Sequence, residues 1–278
     1  MNRTLKAFCL PVGVPLLFLV VWQALAVALG NEIILPTVGQ AAAPLLHPFD
    51  DLISMGSMLD NICISLLRVL AGYLTAACIA IPLGIAMGYS RNLSDLLSGF
   101  LGLFRSIPPL AWVPLVLAWF GVSSFATLLN PPIGPFYGYL HNIKFSMLFI
   151  ICIGGFYPIL TSTIHGVRVV PAALLDAARV LGADEGDIFR KVLLPAAAPD
   201  IVTGLRIGLG VSWMCLVSAE MLPGSLSGAG YLITHAYTVG RTDVVMAGMA
   251  SIGLIGAGMD RLFRLFEERR FIWKRLTR

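Results

Sequence analysis

Six charge-poor apolar stretches, each near the length that crosses a bilayer, constrain this chain more than any other feature. They lie near Leu10–Leu29, Ile62–Met87, Gly99–Phe120, Met147–Ile164, Ile201–Met221 and Val244–Met259. A helix needs roughly 17–25 residues to cross the hydrocarbon core. The last stretch is short by that measure, with the helix extending toward Arg264. Of the 278 residues, 58% are hydrophobic and 12% charged, at a mean hydropathy of +0.86. A soluble domain carries roughly 25% charged residues. At half that level the chain cannot cover a water-facing surface, so most of its exterior must face lipid. The expectation is an all-α integral membrane protein with six transmembrane helices. Leu10–Leu29 follows Arg3 and Lys6 and ends near Ala24-Leu25-Ala26, as a signal peptide does. Its apolar run exceeds the usual roughly 7–15 residues of such a signal, so it reads as a retained anchor. Taken as a signal instead, it leaves five spans and an external N-terminus.

Lysine and arginine in the connecting segments orient the spans, because they accumulate on the cytoplasmic side. One set of ends carries Arg3, Lys6, Arg91, Arg168, Arg179, Arg190, Lys191 and seven basic residues from Arg261 to Arg278, fourteen in all. The opposite segments carry two, Lys144 and Arg241. Both termini and the 165–200 segment are therefore expected inside. The 30–61 segment holds Glu32, Asp50, Asp51 and Asp60 without a basic residue, as suits the outside. The chain reads as one domain over 1–278: an N-terminal span and external loop over 1–60, core spans over 61–264, and a basic tail over 265–278.

Between the fourth and fifth spans lies the longest inner segment, Pro171–Pro195, and its residues predict structure. Pro171 suits the first turn of a helix. Ala172–Leu181 follow without a breaker, and Gly182 supplies a left-handed residue to end it. Asp184 can cap a second helix, with Asp187 in its first turn. Ile188, Phe189, Val192 and Leu193 then share a face before Pro195, which is expected to stop the helix. Two short amphipathic helices on the inner surface result.

The spacing Asp176-Ala177-Ala178, three residues, Gly182, nine residues, then Val192-Leu193-Leu194-Pro195 resembles the coupling-helix loop of ATP-binding-cassette (ABC) importer permeases. That family's pattern is Glu-Ala-Ala, three residues, Gly, nine residues, Ile-x-Leu-Pro. Asp replaces Glu here and Val replaces Ile. Other blocks resemble the taurine, alkanesulfonate and nitrate group of these permeases. They are Ser65-Leu66-Leu67-Arg68 with Gly72 and Pro82-Leu83-Gly84, the run Arg105–Leu115 with Trp119-Phe120-Gly121, and Gly204-Leu205-Arg206 with Ser218–Leu222. Only Ser123–Ser146, with Asn130-Pro131-Pro132-Ile133, is longer than the group's external loop leads one to expect. The resemblance implies a transport path for a small anion such as nitrate, bicarbonate, taurine or another sulfonate. It implies an ABC ATPase docking on Asp176, Ala177, Ala178, Gly182, Leu194 and Pro195, with ATP and Mg on that subunit and no cofactor on this chain. It further implies an extracytoplasmic solute-binding protein, a second permease copy in a homodimer, and a place in the bacterial cytoplasmic (inner) membrane.

The residues favour transport over chemistry. A Walker A loop needs Gly immediately before its Lys, whereas Lys6, Lys144, Lys191 and Lys274 follow Leu, Ile, Arg and Trp. No GxSxG or HExxH occurs, so no catalytic residue, metal site or nucleic-acid partner is expected. Cys9, Cys63, Cys78, Cys152 and Cys215 form no CxxC pair and read as small hydrophobes. His47, His141 and His235 fall in expected external loops and His165 at a helix end. A stand-alone channel or secondary transporter is the competing reading, but it has no use for an ATPase-docking loop.

Pro82, Pro108, Pro109, Pro114 and Pro158 are expected to interrupt spans, which favours a path, although proline also makes ordinary kinks. Gly84-xxx-Gly88 and Gly204-xxx-Gly208 suit close helix packing, with a dimer seam as the lesser use. Arg105, Trp112, Ser212, Trp213, Ser218 and Glu220 are candidates for the path or its gate. Ser212, Trp213 and Ser218 can equally serve packing. Arg68 and Glu220 fall at matched depth on antiparallel spans and can form a structural pair, since either charge alone is costly there. Alternatively Arg68, Arg105 and Glu220 all snorkel to the headgroups.

Overall fold

The structure, a computed structural model, describes residues 3–51, 53–54, 56–121, 123–129, 134–222 and 225–271. The described residues are helical, with one isolated antiparallel bridge between Ser124 and Lys144. In chain order the helices are α1 (Arg3–Leu29), α2 (Val38–Leu46), α3 (Met58–Tyr89), α4 (Arg91–Arg105), α5 (Val113–Phe120), α6 (Phe125–Leu129) and α7 (Pro135–Asn142). Then come α8 (Phe145–Arg168), α9 (Ala172–Val180), the single turn α10 (Glu185–Asp187), α11 (Leu194–Glu220), α12 (Ala229–Thr238) and α13 (Thr242–Arg270). Four continuous helical stretches are long and apolar enough to cross a membrane: Met58–Tyr89, Phe145–Arg168, Glu185–Glu220 and Thr242–Arg270. A bent pair, Arg91–Arg105 with Pro109–Phe120, makes a fifth if it counts as one span. Gly13–Leu29 is a shorter apolar stretch.

The prolines act differently from one another. Gly99–Phe120 is interrupted at Pro108-Pro109, as the sequence leads one to expect: the chain turns by 84° between Arg105 and Pro109. Pro108-Pro109 removes two successive N–H donors, and each ring drives the residue before it out of the helical region. Pro195 does not stop its helix. A π-helical turn over Ile188–Leu193 runs without a break into α11, with Leu194 N donating to Phe189 O five residues back. This widened turn takes Pro195, which has no donor to place, without ending the helix. Pro82 and Pro158 lie inside the continuous α3 and α8 rather than interrupting them. The stretch between Ser123 and Ser146 contains α6 and α7, with Asn130-Pro131-Pro132-Ile133 outside the described residues. His141 and His235 accordingly sit in α7 and α12 rather than in loops.

The chain divides into two compact units. The first comprises Met1–Cys63 and Ser227–Leu254. A capping box between Thr37 and Gln40 starts α2, and Trp22 Nε1 donates to Pro36 O at 2.9 Å. Its core includes Met58, Leu232, Ala236 and Val244. The buried Asn61 side chain accepts from Gly228 N at 2.8 Å.

The second unit comprises Ile64–Leu226 and Ile255–Arg278. Here α8 is held by α3 on one side and α11 on the other. A Cβ at Gly84 or Gly88 on α3 would lie 2.7 or 2.6 Å from Thr163 or Val167 of α8. A Cβ at Gly204 or Gly208 on α11 would lie 2.5 or 2.6 Å from Ser162 or Ile159. Both small-residue motifs thus serve packing within the chain, where backbone contact replaces side-chain bulk. Leu70, Leu74, Ile79, Ile207 and Met214 are exposed on the outer faces of α3 and α11, as lipid- or protein-facing positions in a membrane helix are.

Candidate functional site

The loop between α8 and α11 is built from its own residues outward. Pro171 precedes α9 in extended geometry, and α9 ends in a Schellman motif. Gly182 N donates to Arg179 O at 2.9 Å and Ala183 N to Ala178 O at 3.1 Å. Gly182 sits at φ +82°, where a side chain is strained. Asp184 then caps the next helix, its Oδ1 accepting from Asp187 N at 2.6 Å. Arg179 clasps the turn: its Nη1 meets Asp176 Oδ1 at 2.9 Å and its Nε meets Glu185 Oε1 at 3.0 Å. The hydrogen bond to Glu185, and next that to Asp176, raise the Arg179 guanidinium above its ordinary pKa.

One face of this loop is anchored. Leu175, Phe189 and Val170 pack against buried Val167, Leu193 and Ala197. The other face is bare: Val180 and Leu181 are each 87% exposed, and Ala177 is exposed between Asp176 and the half-buried Ala178. Leu194 is half-buried and Pro195 exposed where α11 begins.

A buried charge pair lies elsewhere in the same unit. Arg68 Nη1 is 2.7 Å from Glu220 Oε1, and the two side chains are 1% and 0% exposed. Ser65, one turn before Arg68, donates to both Glu220 oxygens at 2.8 and 2.9 Å. Arg68 Nε donates to Asn142 O at 2.8 Å. Neither charge reaches a headgroup by snorkelling; each is satisfied inside the protein, as a charge removed from water requires. The spacing of Ser65 and Arg68 on one helical face was visible in the sequence. The Asn142 carbonyl was not, since backbone acceptors leave no mark on residue identity.

The other path candidates divide by exposure. Arg105 is exposed at the end of α4. Trp112, just past the 84° break, stacks on Phe104 with centroids 5.7 Å apart and meets Phe149 edge-on at 6.3 Å. Its buried Nε1 has no hydrogen-bond partner among the described residues. Ser212 is buried and donates to Ile151 O at 3.2 Å, and Trp213 is buried beside Gly256. Ser218 is half-buried and donates back to Met214 O at 3.0 Å within its own helix. In this conformation Ser212 and Trp213 serve packing between helices.

The arrangement combines spanning helices, an internally satisfied charge pair and an anchored loop with one bare face. Residues 80–272 match the family described as the binding-protein-dependent transport system inner membrane component. The chain belongs to this family. The permease is 46% identical over 273 residues to a protein of Methanocaldococcus jannaschii named as an ABC transporter permease, covering 98% of this chain and 95% of that one. It is 34% identical to the nitrate import permease NrtB of Synechocystis, covering 90% of this chain and 84% of that one. It is 32% identical to the taurine transport system permease TauC of Escherichia coli, with 95% and 89% covered. In fold it resembles a chain of the inward-facing MetNI methionine ABC transporter, at a TM-score of 0.56 and 19% identity over 75% of this chain and 95% of that one. The permease is thus a multi-pass membrane subunit of the ABC importer type, a type that works with an ATPase and a binding protein.

Proposed function

We propose that this permease forms the translocation path for a small anion, in a homodimer, powered by an ABC ATPase that docks on the 171–195 loop. The observation that carries the docking is the bare face of that loop. Val180 and Leu181, at 87% exposure, are the most exposed large hydrophobics among the described residues, and they sit side by side on a turn tied down by a Schellman motif and a two-pronged arginine. A rigid apolar pair of this kind supports docking of a partner there. Asp176, Ala177, Ala178, Gly182, Leu194 and Pro195 are the coupling residues in this reading. ATP and Mg belong to the partner, and the chain carries no cofactor of its own.

The relatives named for nitrate, taurine and bicarbonate carry solutes that are small and bear an anionic group, which supports this reading of the solute. Arg105, Trp112 and Ser218 are the path candidates best placed to meet it, with Glu220 acting through its pairing with Arg68. The whole chain over 1–278 serves as one permease domain in the cytoplasmic (inner) membrane, with six spans counting α1 and the bent pair. Both termini lie on the side of the 171–195 loop, as the fourteen-to-two division of basic residues favours. Delivery falls to a solute-binding protein on the opposite face.

Two experiments test the reading. On a cysteine-free background, Asp50→Cys and Arg270→Cys are expected to label with an impermeant maleimide from opposite sides of the membrane. Labelling of both from one side overturns the topology. For coupling, the purified permease is expected to bring down an ABC ATPase, and Gly182→Trp is expected to insert normally yet lose most ATP-driven import. The bulky ring would meet the docked subunit, and a left-handed non-glycine adds roughly 1 kcal/mol of strain. Normal import by Gly182→Trp would rule out docking at this turn. Calorimetry on the copurified binding protein with nitrate, bicarbonate and taurine then selects the solute.

A further inference from the structure

Two contacts join the 171–195 loop, and the end of α8 that leads into it, to helices that are remote in sequence. Tyr89, the last residue of α3, donates from its hydroxyl to Glu185 Oε2 at 3.2 Å. Its ring also meets Phe189 edge-on, with centroids 6.5 Å apart. Just before the loop, Arg168 of α8 donates from Nη2 to the hydroxyl of buried Ser94 in α4. Between Tyr89 and Ser94 lies Ser90, which leaves the helical region (φ −104°, ψ 114°) and caps α4 by accepting from Leu93 N at 3.4 Å. Ser90 is therefore the joint between α3 and α4; the loop holds the chain before that joint and the end of α8 holds it after. Beyond it α4 runs as one helix to Arg105, where the 84° break begins.

We propose that Tyr89 and Ser94 are positioning residues that carry displacement of the docked loop into α4, turning that helix about Ser90 and moving the break that holds Arg105 and Trp112. This rests on the reading of the loop as the ATPase-docking site. Displacement reaches α8 and α11 through the covalent chain, because the loop connects them, and α3 through its packing on α8 at Gly84 and Gly88. Tyr89 and Ser94 add the direct contacts at the α3–α4 joint and beyond it. The route is continuous: Asp176, in the Asp-Ala-Ala stretch, pairs with Arg179 at 2.9 Å, Arg179 with Glu185 at 3.0 Å, and Glu185 accepts from Tyr89 at 3.2 Å. In the free chain these groups are exposed, where water and ions weaken such bonds. A docked subunit excludes that water and strengthens each bond. The linkage tightens when the ATPase engages, which is when transmission is needed.

The test uses the assembled transporter with ATP and vanadate as the probe, so no solute need be known. On a cysteine-free background, Ser98→Cys places a thiol on the exposed side of α4. Its rate of labelling by a water-soluble maleimide is expected to change about fivefold on vanadate trapping. Tyr89→Phe removes one hydroxyl and keeps the ring against Phe189, and Ser94→Ala removes one acceptor. Each is expected to bring the change below about twofold while the ATPase still copurifies. Adding Glu185→Ala to Tyr89→Phe is expected to cause no further loss, because Glu185→Ala removes that bond and the Arg179 link upstream of it in the same serial route. A full nucleotide-dependent change in both single variants overturns the proposal, as do additive losses. An unchanged labelling rate in the parent, with ATPase bound, overturns it too. A parent that fails to copurify with an ATPase overturns the docking reading itself, and the proposal with it.

Discussion

Arg68→Leu and Glu220→Leu are each expected to cost about 3–5 kcal/mol, enough to remove most folded permease, because each leaves a buried charge without its counter-ion. The two side chains are 1% and 0% exposed and 2.7 Å apart. Glu220 would keep the Ser65 hydroxyl, and Arg68 would keep the Asn142 carbonyl. Neither neutral group balances a full charge in a low-dielectric interior. The double variant is expected to recover part of the loss, since two leucines bury no charge at all. Recovery stays partial, because Ser65 and Asn142 each lose a strong partner and the leucines do not match the original shapes. The measurement is a double-mutant cycle on folded yield and thermal unfolding in detergent, with an expected interaction of about 2 kcal/mol. Strictly additive losses would mean that the two charges act independently, and the buried pair would then have no energetic standing.

At the seam between α8 and α11, Gly208→Val is expected to destabilise the fold by about 3 kcal/mol or more. Its first added carbon would lie 2.6 Å from Ile159 Cγ1 and 3.1 Å from Gly155 O. Ile159 is itself buried, and the Gly155 carbonyl belongs to helix backbone, so neither can move aside cheaply. Gly210, two residues along the same helix, has nothing within 4 Å of its Cβ position. Gly210→Val therefore changes helix propensity equally without overpacking. It is expected to leave folded yield close to that of the parent. Similar losses in the two variants would show that propensity, and not the α8–α11 contact, governs this helix.

What the sequence determined by itself were the properties carried by residue type and spacing. Charge-poor apolar runs announce helices in lipid, because no other element satisfies its own backbone there. Gly182 after a breaker-free run marks a helix end, and Asp184 marks a cap, because both act over one turn. The matched depth of Arg68 and Glu220 was readable as well, because axial rise per residue is constant. Tertiary structure alone decided which faces meet. Pro195 reads in sequence as a helix stop, yet a π-helical turn upstream carries the helix through it. Ser212 and Trp213 could face a solute or a neighbour by sequence; α8 covers Ser212 and Gly256 of α13 lies beside Trp213, so both are buried. Tyr89 and Glu185 stand 96 residues apart in the chain. Their contact depends on how the end of α3 meets the loop, a relation between helices that no local pattern encodes.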